Sequence, residues 1–523
     1  MKKTMFVLAG AALLALAGCS QGGRGGQGST SKDTLPPDTS TESTSSSTDD
    51  GTGFIKTPVS ITLSATLSYE DQINSFIESF KKVEPNVTVT YSKESTNYDG
   101  LKDKIVDGIA VNNYADMAVL YPDAIGTLMD YNIVTALDSY MENEKYGLSE
   151  ADIDDIVPAY LEEGKKYAVP GTYSLPFCKS TEAMFYNKGI LVGLNLSAQD
   201  PTINGGNALS EDYLDNLTWD ELFDKLCPAL IAYNDAQDAD HKIIKDHATY
   251  SKAVIGYDSD DNLFITLAQQ YGYGYTSLDQ VTGEGKLLFN VDDIDSNGDG
   301  VNDTNGMKEL IKKFKKAYDK GYLITKGSSN GGNYTNYSFT NGAALFSVGS
   351  TGGVKYQQKD GLDVGVARIP QAPVAEGHVN SVISQGPSIV LLNHKDQNKT
   401  LASWLFYKHM INEKNSLKWS LDTNYSPIRY SNLESGDYMD ATMEDDLEIG
   451  SLDMVKARAF QYVGRSEVSS ALFTSPVFKG SDVARTQVGS LVTTLLKADP
   501  TAFNDALVNA EFAKAENNVK TKM

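Results

Sequence analysis

One short segment of the sequence carries oxygen-bearing side chains at the spacing of a calcium site. Within residues 295–303, carboxylate or amide oxygens fall on positions 1, 3, 5 and 9 of a twelve-position calcium loop, and Gly300 falls on the sharp turn at position 6. Position 12, where such loops have a bidentate Glu, is Gly306. Two interpretations stay open, a shortened structural calcium site and a hairpin turn rich in Asp, Asn and Gly. The candidate ligands are Asp295, Asn297, Asp299 and Asp303.

Enzyme motifs give no comparable signal. The sequence has no Gly-rich loop ending in Gly-Lys-Ser/Thr to hold a nucleotide phosphate, and no His-Glu-x-x-His zinc pair. Asp and Glu number 69, so carboxylates are too common for their presence to indicate a glycosidase pair. We therefore predict no catalytic residues and no required cofactor.

The N-terminus predicts export and a lipid anchor. Lys2 and Lys3 precede an apolar run over residues 5–17, which is too short to span a bilayer and is typical of a signal peptide. Leu16-Ala17-Gly18-Cys19 resembles a bacterial lipobox, which implies cleavage after residue 18 and lipidation of Cys19 with diacylglycerol and palmitate-type chains. The alternative is an ordinary secretory signal with a chance Cys.

Residues 19–55 then comprise the lipidated Cys and a tether. This stretch is dominated by Ser, Thr and Gly, and Leu35 is the only large apolar residue between residues 20 and 53. Such a segment cannot bury enough apolar surface to order itself. We expect a flexible linker that holds a globular body, starting near Lys56, away from the membrane.

The length and composition of the chain exclude several functions for the globular part. A chain of 523 residues exceeds a single compact core and predicts two lobes or domains. Acidic residues outnumber basic ones 69 to 45, and the resulting net charge of −24 argues against nucleic-acid binding. Three Cys and five His are too few for a disulfide scaffold or a zinc cluster. Cys178 and Cys227 could pair or remain separate buried thiols.

The hydrophobic pattern predicts an α/β fold. Apolar residues alternate as in a strand over residues 59–65, recur at helical spacing over 73–83 and alternate again over 87–91. A second stretch of helical spacing at 101–109 is followed by a buried strand at 115–121. Strand, helix, strand, helix, strand is typical of a parallel sheet with covering helices. Ligands bind such sheets at the carboxyl ends of their strands.

Later segments add three helices. Thr218-Trp219-Asp220-Glu221 has the spacing of a capping box, in which Thr218 caps the helix and Glu221 reaches back. Residues 307–318 predict a helix ending at Gly321. An amphipathic face near the C-terminus comprises Phe503, Ala506, Leu507, Ala510 and Ala513.

Several motifs occur in the order found in one family. Residues 175–187 contain Leu175-Pro176-Phe177, Ser180-Thr181 and Tyr186-Asn187 and resemble a segment of the carbohydrate-class extracellular solute-binding proteins, family 1, of ABC importers. The resemblance covers about residues 56–515 and is closest to the glycerol-3-phosphate-binding branch. The other matching features are the lipobox, Glu84-Pro85-Asn86, Asn97-Tyr98-Asp99-Gly100-Leu101, Thr218-Trp219-Asp220-Glu221-Leu222, Gly349-Ser350-Thr351-Gly352-Gly353 and Asn424-Tyr425-Ser426-Pro427-Ile428.

The resemblance implies a two-lobed periplasmic-binding-protein type II fold, with hinge-linked lobes and the ligand cleft between them. We expect residues 56–178 plus 349–390 in the N-terminal lobe and 179–348 plus 391–523 in the C-terminal lobe. The corresponding crossings lie near residues 176–182, 346–350 and 389–392. Ligand would stabilise a closed form that permease subunits recognise, without covalent chemistry.

The same resemblance implies a binding site. The residues that match the ligand-contacting positions of that branch are Tyr98, Asp123, Ser180, Ser350, Gly386, Tyr425 and Arg485. Arg485, Ser350 and a helix opening at Gly349 would suit a phosphate. Pro122-Asp123 stands where the branch has Glu, so a neutral sugar or oligosaccharide remains an alternative.

The function expected from the sequence is therefore delivery of a carbohydrate-class solute to an ABC importer. The protein would act outside the cytoplasm as a monomer, held at the membrane by its lipid alone. The alternatives are a tethered glycan-active enzyme and a two-lobed adhesin or sensor.

Overall fold

A computed structural model of the protein describes residues 53–94, 97–296 and 300–523. The signal peptide, Cys19 and almost all of the tether lie outside the described residues, so their predictions stay predictions. Among the described helices, none combines the length and the apolar composition needed to cross a bilayer.

The described strands form two main sheets and one hairpin. In chain order they are β1 (Val59–Ala65), β2 (Val87–Lys93), β3 (Met117–Leu120), β4 (Leu175–Pro176), β5 (Ser180–Asn187), β6 (Ile255–Tyr257), β7 (Thr276–Leu278), β8 (Gly285–Leu287), β9 (Leu323–Thr325), β10 (Phe346–Ser350), β11 (Val364–Ala367), β12 (Val382–Gln385), β13 (Ser388–Leu391) and β14 (Leu472–Phe473).

Helices cover both main sheets. In chain order they are α1 (Glu70–Phe80), α2 (Tyr98–Ile109), α3 (Pro122–Met129), α4 (Asp138–Met141), α5 (Glu150–Asp155), α6 (Pro158–Glu163), α7 (Lys188–Leu191), α8 (Glu211–Asp215), α9 (Cys227–Asp235), α10 (Asp260–Gln270), α11 (Gly306–Asp319), α12 (Asn336–Thr340), α13 (Gln397–Met410), α14 (Glu413–Thr423), α15 (Tyr430–Leu433), α16 (Gly436–Ala441), α17 (Leu452–Val463), α18 (Ser466–Ala471), α19 (Ser481–Lys497) and α20 (Asp505–Lys520). Three 3₁₀ segments (Ile203–Gly206, Asn330–Gly332, Thr351–Tyr356) and one π-helical segment (Glu221–Leu226) complete the helical elements.

The first lobe is built on a five-stranded sheet in the order β2-β1-β3-β13-β4. β1 is parallel to both β2 and β3, so the predicted strand–helix–strand order is confirmed. β13 joins antiparallel, which brings chain from a distant part of the sequence into this sheet. Buried side chains of α1 and α13, including Phe76, Phe80 and Phe406, fill the core against it.

The second lobe is built on a larger mixed sheet in the order β14-β12-β5-β10-β6-β9, with β11 also pairing with β5. β10, β6 and β9 are parallel, whereas β5 runs antiparallel to β10. The start of β5 therefore lies at the carboxyl end of β10, where Glu182 pairs with Ser350. The mixed α/β architecture confirms the predicted fold class.

The chain changes lobes at places that differ in part from the prediction. The first crossing is residues 177–179, within the predicted range. The expected crossing at 346–350 is wrong, because β10 lies between β5 and β6 inside the second sheet. The real second crossing is Gly386-Pro387, a few residues before the expected one.

Lobe membership changes accordingly. Residues 349–385 belong to the second lobe, since β11 and β12 pair with β5 there. Residues 391–428 belong to the first lobe, because Trp404, Trp419 and Ile428 pack in its core. The chain returns to the second lobe by α17, whose Val455 and Tyr462 lie in the second core.

Two local predictions also need correction. Thr218 Oγ1 accepts from the Glu221 amide at 3.1 Å, but the Glu221 carboxylate accepts the Tyr213 hydroxyl at 2.9 Å instead of closing a capping box. The C-terminal helix is present but rotated relative to the prediction. Its larger side chains pack inward, so the buried residues are Val508, Phe512, Ala515 and Val519.

Candidate functional site

Three tyrosines follow the parallel strands of the first-lobe sheet, one after each strand. Tyr69 precedes α1, Tyr98 begins α2 and Tyr121 precedes α3. Because the strands before these helices are parallel, their carboxyl ends meet at one edge of the sheet. The Tyr98 and Tyr121 rings meet edge to face, with centroids 4.9 Å apart. This edge therefore presents aromatic surface and phenolic hydroxyls together.

Tyr425 extends the aromatic surface. Its ring stacks on the buried Trp419 at a centroid distance of 6.0 Å and contacts Tyr69 edge to face at 6.2 Å. Burial raises the pKa of Tyr98 and of Tyr425 well above the ordinary value, and raises the pKa of Tyr69 to about 12. These hydroxyls stay protonated at neutral pH and can both donate and accept hydrogen bonds.

The second-lobe side carries small hydroxyl residues next to Tyr425. The Ser350 hydroxyl donates to Ser180 Oγ at 3.2 Å, and Ser350 Oγ accepts from the Gly352 amide at 3.2 Å. A Cβ at Gly352 would lie 3.2 Å from the Tyr425 ring and 3.5 Å from the Ser180 Cβ. Ser180, Ser350 and Tyr425, predicted from separate motifs, are thus brought together. The expected helix after Gly349 is a 3₁₀ segment that Ser350 caps.

Asp123 and Arg485 lie at a second point where the lobes meet. Asp123 is in the first turn of α3, and its carboxylate accepts from the Ser481 hydroxyl at the start of α19 at 2.9 Å. Burial raises the pKa of Asp123, while the Arg485 charge opposes that rise. Nearby Asp482 and Asp261 raise the Asp123 pKa further. The site thus places several carboxylates around one guanidinium.

The guanidinium donors of Arg485 are already engaged by neighbouring side chains of the protein. Its Nε lies 2.6 Å from Asp261 Oδ2, and a terminal nitrogen donates to Asn262 Oδ1. The side chain is 22% exposed, so it is only partly accessible to solvent. Because its charge is balanced by Asp261, a phosphate would have to displace a carboxylate to use the fork.

Gly386 lies in the second crossing, beside the first. Its φ is +90°, and a Cβ would lie 1.8 Å from the Cys178 carbonyl oxygen. Only Gly allows the two crossings to approach this closely. Its position in the family motif is therefore explained here by backbone geometry at the second crossing.

A buried network centred on Glu182 was missed by the sequence analysis. Glu182 accepts from the Tyr257 hydroxyl, from Asn262 Nδ2 at 2.9 Å and from Gln385 Nε2 at 3.1 Å. Burial raises its pKa to about 7. Since Asn262 also accepts from Arg485, Glu182 orients the group that holds the guanidinium. Glu182 follows Ser180 by two residues, so both side chains lie on the same face of β5. This spacing is the sequence signal that could have identified Glu182.

The calcium prediction is only partly within the described residues. Asp295 Oδ2 accepts from the Gly300 amide at 2.7 Å, and Asp303 accepts from the Ser296 amide at 3.0 Å. Asn297 and Asp299 lie outside the described residues. The calcium site therefore stays a prediction.

The two described cysteines are free and buried. Cys178 lies in the first-lobe core and Cys227 in the second-lobe core. A disulfide between them does not form, and the alternative of two separate thiols is confirmed.

The sequence analysis missed one enzyme motif, because residues 327–331 (Gly-Ser-Ser-Asn-Gly) match the Gly-x-Ser-x-Gly spacing of a nucleophile elbow. The central Ser329 hydroxyl donates to the carbonyl oxygens of Lys326 and Asn333. A nucleophilic serine donates to a general base instead, so this geometry favours a structural turn.

Comparisons with known proteins agree with this architecture. The model of the family described as bacterial extracellular solute-binding protein matches residues 75–445, more than two thirds of the chain. None of the curated proteins shows significant sequence similarity to this chain.

Solved structures share the fold at low identity. The cyclic α-maltosyl-1,6-maltose-binding protein of Arthrobacter globiformis is 14% identical with a TM-score of 0.61, and 89% of this chain matches 98% of that one. UgpB of Mycobacterium tuberculosis, in complex with glycerophosphocholine, is 16% identical with a TM-score of 0.59, covering 88% and 98%. Lmo0181 of Listeria monocytogenes, an ABC substrate-binding protein in complex with cycloalternan, is 14% identical with a TM-score of 0.59, covering 89% and 98%.

These structures establish a two-lobed binding-protein fold. Together with the family match over residues 75–445, they identify the chain as a member of the bacterial extracellular solute-binding protein family.

Proposed function

We propose that this protein binds an uncharged carbohydrate between its lobes and delivers it to an ABC importer. The observation that carries the proposal is the Arg485–Asp261 ion pair, in which the one guanidinium at the predicted site is already balanced by a carboxylate. Asp123 adds a further acid at the same place. Such a site disfavours a phosphate dianion and suits ligands that donate hydroxyl hydrogens to carboxylates.

The aromatic side of the cleft supports the same ligand class. Tyr69, Tyr98 and Tyr425 offer ring faces for the apolar C–H faces of a sugar and protonated hydroxyls for its oxygen atoms. Ser180 and Ser350 add hydroxyls within reach of the Tyr425 ring. Structures with the same fold include proteins described as binding oligosaccharides.

Delivery would depend on lobe closure. A ligand that contacts both lobes binds the closed form better and shifts the population toward it, which permease subunits can then recognise. Lipidation at Cys19 would keep the protein near those subunits, since two or more acyl chains anchor stably.

A thermal-shift screen tests this proposal. We expect at least one neutral oligosaccharide to raise the melting temperature equally at low and high salt. A ligand at 100 times its Kd adds about 2.7 kcal/mol to the free energy of unfolding. Glycerol 3-phosphate and glycerophosphocholine are the comparison ligands, because one of the structures sharing this fold binds the latter. A rise with glycerol 3-phosphate alone, lost at high salt, would favour the phosphate alternative.

A further inference from the structure

A buried ion pair lies at the point where the first and second crossings touch. Lys179, in the first crossing, is fully buried and pairs with Glu163 of α6, whose side chain is 5% exposed. The same ammonium donates to the Gly386 carbonyl at 3.0 Å, and Glu163 Oε1 accepts the Ser388 hydroxyl at 2.9 Å. These contacts join the first lobe, the first crossing and the second crossing.

The main chain of Lys179 connects this ion pair to the ligand cleft. Its carbonyl accepts from the Ser426 amide at 2.6 Å, and Ser426 directly follows Tyr425. Ser180 directly follows Lys179 in the chain. The Cys178 amide also donates to the Pro387 carbonyl at 3.2 Å, which adds a backbone bond between the crossings.

The cost of burying this pair indicates a role other than added stability. Removing a Lys and a Glu from water is seldom repaid by their attraction, and well-packed apolar residues often stabilise a protein as well or better. The pair does provide hydrogen bonds of defined direction, because one ammonium has three donors and the acceptors lie at fixed places on two chain segments. A hinge needs its segments held in a defined relative position, since its few residues absorb the change in backbone angles.

We propose that Lys179, through Glu163, is a positioning residue that holds the two crossings together as one hinge and couples their movement to Ser180 and Tyr425. The inference rests on the proposed function for the identity of the cleft. The hinge behaviour itself does not depend on which solute binds. When the lobes rotate, the pair keeps Gly386 and Lys179 in contact, so both crossings turn together.

The test measures the inter-lobe distance in the ligand-free protein. Spin labels at Asp103→Cys in α2 and Asp240→Cys after α9 report one distance between exposed positions on the two lobes. The double variant Lys179→Met with Glu163→Gln removes both charges, so no unpaired charge is left in the core. We expect it to fold, to broaden the distance distribution and to shift its mean to longer distances.

A matched control separates positioning from mere stability. Lys315 is also buried, and it pairs with Asp319 and donates to the Leu496 and Ala498 carbonyls inside the second lobe, away from the hinge. Lys315→Met with Asp319→Asn should lower the melting temperature without changing the inter-lobe distribution.

Ser388→Ala provides a milder variant, because it cuts only the bond from Glu163 to the first residue of β13, directly after the second crossing. We expect a smaller broadening in the same direction. Unchanged distributions in the Ser388 variant and the double hinge variant, with only lower melting temperatures, would overturn the inference. Since no solute is present, that result would leave the proposed function standing.

Discussion

The Asp123 carboxylate of the first lobe accepts a hydrogen bond of 2.9 Å from the Ser481 hydroxyl of the second lobe. Both residues lie in the first turns of helices, α3 and α19, whose N-termini carry partial positive charge. Burial raises the pKa of Asp123, and the charge of Arg485, one turn later on α19, opposes part of that rise. A carboxylate that the sequence predicts for ligand binding thus also forms part of the contact between the lobes.

The hinge glycine gives a sharp test of the crossing geometry. In Gly386→Ala, the added Cβ would overlap the Cys178 carbonyl at 1.8 Å, so we expect the free energy of unfolding to fall by about 3 kcal/mol or more. Gly193→Ala is the matched control, because its φ is +88° and no atom lies within 4 Å of its Cβ position. Its cost should be about 1 kcal/mol, from backbone strain alone. Equal costs in urea unfolding would contradict the close approach at Gly386.

Glu182 should make stability depend on pH. Its pKa is raised by burial from 4.5 to about 7, so the folded protein binds more protons than the unfolded chain between those values. Stability contributed by this group is therefore lost as pH rises through that window, at no more than about 1.4 kcal/mol per pH unit. Glu182→Gln lacks the titration, so its stability relative to wild type should increase with pH across the window.

Urea unfolding on either side of the window measures this effect. Asp258 and Asp260 also have raised pKa values through burial, so the comparison must be variant against wild type at each pH. A constant difference between the two proteins at all pH values would show that Glu182 does not titrate there.

Much of the first lobe could be predicted because its signals are local. The alternation over β1 and the apolar period of α1 are read within a dozen residues, and both elements form as expected. The lobe assignment after β10 failed because sheet order depends on pairing between distant segments. β13 inserts between β3 and β4, and no pattern within residues 388–391 indicates those partners.

The same distinction applies to the site. Ser180, Ser350 and Tyr425 were predicted from motifs and do meet in space. The role of Arg485 could not be read from its own motif, because its partner Asp261 lies more than 200 residues earlier. The guanidinium that the sequence motif assigned to phosphate binding is therefore paired in the structure with the buried Asp261.

The lipid anchor is tested at Cys19. We expect Cys19→Ala to leave the protein unprocessed or to release it from membranes, since no acyl chain can then be attached. Cell fractionation followed by a high-salt wash and immunoblotting measures this. A variant that is processed normally and still sediments with membranes would contradict lipidation at this residue.

Calcium binding by residues 295–303 is tested by melting the protein with and without millimolar calcium. We expect calcium to raise the melting temperature of the wild type, because ligands bound only to the folded state stabilise it. Asp299→Ala should abolish the rise. Asp279→Ala, which removes a turn acceptor for the Val281 amide outside the loop, should retain it. No rise in the wild type would leave the segment as a turn.

Titration calorimetry with the neutral oligosaccharide that gives the largest thermal shift tests the central claim most directly. We predict binding that hardly changes with salt and that weakens at least tenfold in Tyr425→Ala, which removes the aromatic face beside Ser180 and Ser350. Arg485→Gln should weaken this binding far less, because its guanidinium is held by Asp261. Tight binding of glycerol 3-phosphate that needs Arg485 and falls with salt, with no saccharide bound, would contradict the account.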